Sequence, residues 1–188
     1  MNLKYKKIIF LISLFLLIPS AKSAETLFLY KGTFNRSINI EELDKFKDKK
    51  ILSQKLKSLI QITNQNEEDL YKILSYEIEV PLKSSSKLMN SKIGKVFLSR
   101  ISKIIHPNKI LDKNIGAKAI RSGIILSAYN NNQKINLVDF FKAYPNKDIA
   151  INLNALKKTL KKAKSLKELI EFYANSPFKK LKDGSSSI

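Results

Sequence analysis

Histidine, cysteine, nucleophilic serine and paired carboxylates are the groups from which hydrolytic chemistry is built. Serine is abundant in this chain, with lysine, but nothing in the sequence singles out a Ser-Lys pair, and the other groups are scarce or explained otherwise. Its 188 residues include no cysteine, which excludes thiol catalysis, disulfides and cysteine-ligated zinc. The one histidine, His106, would have to serve any Ser-His-Asp triad or histidine metal site. It precedes Pro107 at the end of a helical pattern and reads as a helix terminus rather than as a base or ligand. The five glycines are Gly32, Gly94, Gly116, Gly123 and Gly184. No two of them stand four apart, so the G-x-S-x-G elbow of an α/β-hydrolase is absent. P-loop and Rossmann glycine fingerprints fail in the same way. The acids cluster at Glu41, Glu42 and Asp44 and again at Glu67, Glu68 and Asp69. Both groups open predicted helices, where the helix dipole favours negative charge, and neither reads as a glycosidase pair set across a cleft. No residue set here asks for a cofactor or a metal.

What the chain has in abundance is lysine. The formal net charge is +19, and of 35 basic residues only Arg36, Arg100 and Arg121 are arginine. Heavy use of Lys, Asn and Ile is what a strongly AT-biased genome writes, so part of this charge reflects codon usage. A basic surface still attracts anionic lipid or polymer at low salt. The lysines best placed to do so are Lys157, Lys158, Lys161, Lys162 and Lys164. They fill one side of a predicted amphipathic helix from Leu153 to Tyr173, whose other side carries Leu153, Leu156, Leu160, Ala163, Leu166 and Ile170. These five lysines are the candidate anionic-surface binding residues. Nucleic acid fits poorly, because the basic segment lacks interleaved aromatics for base stacking.

The elements that must position these residues can be read in order. Residues 1–23 have the form of a secretory signal peptide: Lys4, Lys6 and Lys7, then the apolar run Ile8 to Ile18, Pro19, and small residues at Ala21 and Ser23. Removing them takes four lysines and no acid, leaving about +15. Left uncleaved, the segment would anchor the chain in a membrane. Thr26 to Tyr30 and Thr33 to Ile38, joined by Lys31-Gly32, predict a β-hairpin, and Asp148 to Asn152 is a candidate third strand. Helices are predicted over Ile40–Lys47, Ile51–Ile62, Glu67–Tyr76 (capped by Asn66), Lys87–Ile105, Ile115–Tyr129 and Ile135–Tyr144. The fourth carries a candidate break at Asn90-Ser91, and Pro81 with Ser84 to Ser86 reads as a loop before it. Ile115 to Tyr129 is apolar nearly all round and is predicted to be the central helix, with Gly116 and Gly123 admitting close neighbours. The fold expected is mainly α: a single helical, bundle-like domain over residues 25–176 with a small N-terminal β-hairpin, and a disordered tail over 177–188.

The order of segments carries a resemblance. Glu25-Thr26-Leu27 leads a Tyr30, Phe34, Ser37-Ile38 hairpin, and a short acidic helix with Leu43 and Phe46 follows. Then come Ser91-Lys92-Ile93-Gly94, the run Ala119 to Ala128, and Leu137, Phe140, Tyr144-Pro145 leading to Ile149-Ala150-Ile151. Over roughly residues 25 to 155 this resembles the helical domain of unknown function found in cyanobacterial proteins, where it usually precedes an α/β-hydrolase domain. The resemblance implies an exported accessory domain, in the periplasm or thylakoid lumen, whose partner is an exported protein such as a hydrolase. The hydrolase domain's own Ser, Asp and His have no counterpart in this sequence, so the chain is expected to be non-catalytic. The alternative is a peripheral binder of anionic membrane lipid or cell-wall polymer through the basic C-terminal helix.

Overall fold

The computed structural model describes residues 23–63 and 66–162. The predicted leader up to residue 22, the tail 177–188 and the C-terminal helix beyond Lys162 lie outside the described residues. In chain order the elements are β1 (Thr26–Lys31), β2 (Phe34–Asn39), α1 (Ile40–Lys49), α2 (Gln54–Thr63), α3 (Glu67–Ser75), β3 (Ile78–Glu79) and α4 (Leu82–Asn90). There follow α5 (Lys92–Ile101), β4 (Ile105–Pro107), α6 (Lys113–Asn130), β5 (Lys134–Ile135), α7 (Leu137–Lys142), β6 (Asp148–Asn152) and α8 (Leu153–Lys162).

The organising layer is a four-stranded sheet in the order β2-β1-β6-β4. β1 and β2 pair antiparallel with Lys31 opposite Phe34, so Gly32 and Thr33 make the two-residue turn. Gly32 takes the left-handed φ of 60° that such a turn requires. β6 then adds parallel to β1, with Leu27 opposite Ile149 and Leu29 opposite Ile151, and β4 closes the sheet antiparallel to β6. Alternation puts Leu27, Leu29, Ile38 and Ile149 in the core from one face. A second, two-stranded sheet pairs β3 with β5 over a small cluster of Val80, Ala128 and Ile135.

This corrects the expectation of a mainly α, bundle-like domain with a small hairpin: the chain is α/β, with a mixed sheet that includes a parallel pair. Helical periodicity is a local signal, whereas β1 meets β6 only after almost the whole chain between them has been laid down. β4 was hidden for a related reason. Ile101, Ile104 and Ile105 fit helical spacing, but α5 stops at Ile101 and a turn over 102–104 delivers Ile105 into a strand. The predicted helix Lys87–Ile105 is in fact the end of α4, then α5, broken at Ser91. Ser91 caps α5 by accepting from the Gly94 N–H at 3.1 Å and donates to the Leu88 carbonyl at 2.6 Å. The serines read as a loop lie inside α4, which begins directly after Pro81. Asn66 caps α3 as expected, accepting from the Asp69 N–H at 2.7 Å.

Helices α1, α3, α4, α5 and α7 send Phe46, Leu74, Met89, Leu98 and Val138 into one core that also takes Ile120 of α6 and the whole ring of Tyr144. Full burial of such side chains contributes about 1.5–3 kcal/mol each. α6 packs against β4, α4, α5, β5 and α7, so it is central in its contacts. It is not surrounded, however. Gly116, Ala119, Ile120, Gly123, Ser127 and Ala128 are buried on one side, while Ile115, Lys118, Ser122, Leu126 and Tyr129 face solvent.

Candidate functional site

His106 sits in a strand, not at the helix terminus that its sequence context suggested. β4 and β1 flank β6, and the register sets His106 opposite Ala150 and Tyr30 opposite Asn152. The methyl of Ala150 leaves room for Tyr30 to reach across the sheet. Its hydroxyl lies 2.8 Å from His106 Nε2, with the rings edge-on at 5.8 Å between centroids. The other ring nitrogen, Nδ1, lies 2.9 Å from the Pro107 carbonyl oxygen. A carbonyl only accepts, so the Nδ1–H donates to it, while Nε2 is bonded to the Tyr30 hydroxyl. Both nitrogens are thereby engaged, on a side chain only 5% exposed. Ser102, which like His106 lies close to Gly116, is occupied as well, its hydroxyl donating to the Ser99 carbonyl at 2.9 Å. Gly116 lets α6 come down on this corner, since a Cβ there would stand 2.8 Å from Ser102 Cβ and 3.6 Å from His106 Cβ. The arrangement ties three strands to α6. As it stands it offers no free imidazole nitrogen to a substrate.

The carboxylates answer to lysines. Glu41 pairs with Lys45 at 2.7 Å, while Glu42 accepts from the Ser53 hydroxyl and faces Lys55. Asp44 pairs with Lys142, which joins α1 to α7. Lys47 lies among Asp44 at 3.6 Å, Asp48 at 3.3 Å and Asp139 at 3.9 Å. Burial pulls the Lys47 ammonium downward, but the charges of Asp139, Asp48 and Asp44 outweigh it and raise its pKa above the usual lysine range. Among the described residues, no group of three or more His, Asp and Glu could hold a metal ion. Asp139 is further fixed by the Asn136 cap, whose side-chain oxygen accepts from the Asp139 N–H at 2.9 Å.

Of the five candidate lysines, Lys157 and Lys158 are exposed on α8. α8 lies against β1 and β6, with Leu153, Ala155, Leu156 and Thr159 half-buried. Lys161 and Lys162 fall in the last described turn with their side chains outside the description, and Lys164 lies outside the described residues.

The feature that sequence reasoning missed is the open side of α6. Tyr129 is 72% exposed, Ile115 45% and Leu126 42%, and Leu111, just before the helix, is 76% exposed. Lys118 and Ser122 lie between them on the same side. An apolar helix reads as buried all round. Periodicity alone cannot show that the packed layers cover only the Gly116, Ile120, Gly123 and Ser127 side. A single solvent-exposed Leu is ordinary, but an apolar row along one helix is informative.

Neither the curated proteins nor the solved structures contain a significant relative of this chain. The family profile described as "Alpha/beta hydrolase of unknown function (DUF1400)" matches residues 23–152, from the residue before Ala24 to the end of β6. On that match, which among the described residues spans the four-stranded sheet and every helix but α8, the chain belongs to the DUF1400 family.

Proposed function

We propose that this chain is an exported, non-catalytic interaction domain that docks on an exported protein partner, a hydrolase, through the open side of α6. The observation that carries the reading is the row Ile115, Leu126 and Tyr129, left in solvent on the helix that otherwise organises the core. The engagement of both His106 nitrogens supports a non-catalytic role, as does the absence of a G-x-S-x-G elbow from the sequence. Export is supported by the leader-like residues 1–23. The test is capture of a partner from exporting cells by the mature wild-type chain and by a Leu126→Glu, Tyr129→Glu variant. Wild type should retain a defined protein through a salt step that screens exposed charges within about 10 Å at 0.1 M, and the variant should lose it. Equal recovery by both would overturn the reading.

A second reading rests on Lys157 and Lys158, which stand exposed on α8 away from its half-buried Leu153 and Leu156. It makes α8 a contact for anionic lipid or cell-wall polymer. Lys157→Glu with Lys158→Glu should then weaken binding to anionic vesicles at low salt, and unchanged binding would remove it.

A further inference from the structure

We infer that the open side of α6 receives a helix of an acidic partner, laid along it as in a coiled-coil seam; this rests on the interaction reading above and specifies the partner's chemistry. Ile115, Lys118, Ser122, Ile125 and Tyr129 follow one another at intervals of three, four, three and four, the a/d spacing by which one helix faces another. All are exposed except Ile125, which is half-buried beside Leu126. From Ile115 to Tyr129 the row is about 21 Å long at 1.5 Å per residue and one side chain wide, and a line of this shape fits a second helix.

Other occupants fit less well. An added β-strand needs free N–H and C=O groups along its edge, and those of a helix are spent within it. A bilayer would have to take Lys118 and Ser122, at the middle of the row, into its apolar boundary. A second copy of the mature chain would set a further formal charge of about +15 against the first. The charge on the row selects an acidic partner instead. Lys118 is exposed, with no ion pair to any described residue, and α6 carries no carboxylate between its Asp112 cap and its end. Arg121, one step around the helix, is committed to Asn90 Oδ1 at 2.6 Å. An Asp or Glu on the partner helix opposite Lys118 completes the seam and sets its register.

The experiment is photo-crosslinking in exporting cells, with the full chain carrying a benzophenone amino acid at position 118, 122 or 126 in turn and the cross-linked peptides read by mass spectrometry. The expected result is attachment to partner residues three and four apart within one acid-bearing segment. With the probe at 122, Lys118→Glu should lower the yield by about tenfold, as expected when an attraction across an interface becomes a repulsion. Attachment at every second residue, to lipid, to a second copy or to residues 163–188 of the same chain would overturn the helix assignment while leaving α6 a contact surface. No attachment from any of the three positions would overturn the interaction reading itself.

Discussion

Replacing Gly94 by alanine tests whether the α4–α5 junction is as tight as it is drawn. In an isolated helix the change is favourable by about 1 kcal/mol. Here an added Cβ would overlap the Leu88 carbonyl oxygen and stand 2.8 Å from Met89 Cα and 2.9 Å from Leu88 C. Ordinary carbon contacts are about 3.5–4.0 Å, so α4 and α5 must separate by more than half an ångström. All three obstructing atoms are backbone, which no rotamer change can move aside. Separation would also strain the Ser91 cap and the seats of Met89 and Leu98, both almost wholly buried. Overpacking of this kind costs about 1–3 kcal/mol, and the upper end applies when backbone must shift. Net of the propensity gain, about 2 kcal/mol is lost. For a domain of this size that lowers the melting temperature by about 4–8 °C. Gly123→Ala is the control, because its Cβ would press on the Phe140 ring, 3.0 Å away at Cε2, which can tilt, and would meet Tyr144 Cα at an ordinary 3.5 Å. Thermal unfolding followed by circular dichroism should rank Gly94→Ala well below Gly123→Ala and wild type. A Gly94→Ala protein as stable as the Gly123→Ala protein would refute the reasoning.

Tyr144 is fully buried and its hydroxyl has no hydrogen-bond partner. Tyr144→Phe should therefore stabilise the protein at pH 7 by about 1 kcal/mol, seen as a raised urea midpoint, and a clear loss would mean that the hydroxyl is bonded. Burial raises the Tyr144 pKa above its usual value, so the unfolded chain releases this proton first and wild-type stability falls as pH rises above about 10. The Phe variant should show a shallower alkaline decline. Lys47 gains from three carboxylates and its pKa is raised; its contribution is fully present at neutral pH and fades only as pH rises through and beyond about 10.4. The stability gap between wild type and Lys47→Met should be flat from pH 7 to 9 and shrink toward pH 11. For the Tyr30–His106 bond, a double-mutant cycle of Tyr30→Phe and His106→Phe should return about 0.5–1.5 kcal/mol of coupling, and a value near zero would mean that the pair does not help to hold β1 to β4.

What the sequence made legible was local. The hairpin showed because Gly32 interrupts two β-rich runs, although the turn falls at Gly32-Thr33 rather than one residue earlier. Asn66 and the acids after it marked the start of α3 because capping is decided within one turn. The break at Ser91 was visible for the same reason. The sheet was not legible as a sheet. β4 is three residues long, β3 and β5 two each, and pairs so short leave no alternation to read. The parallel pairing of β1 with β6 depends on contacts that no window of sequence contains. The five lysines were picked out by helical spacing; the two whose side chains are described, Lys157 and Lys158, stand exposed while Leu153 and Leu156 are half-buried. The open side of α6 escaped for the opposite reason: a helix uniformly apolar in sequence conceals which of its sides the fold leaves bare.

The family match adds to the resemblance read from the segments and shifts its emphasis. The matched region, 23–152, carries the hydrolase description itself and is an α/β unit rather than a purely helical one. Within it, the only histidine is held between Tyr30 and the Pro107 carbonyl.

The docking face of α6 is tested most directly by footprinting tyrosines in the complex. Tyr129 lies on the proposed face at 72% exposure, and Tyr76, between α3 and β3 at 45%, serves as the internal reference. Side-chain oxidation would be measured at both residues, in the free mature chain and in the chain bound to its captured partner. The account predicts strong protection of Tyr129 with Tyr76 unchanged. Tyr129 labelled equally in the free and bound states would contradict it.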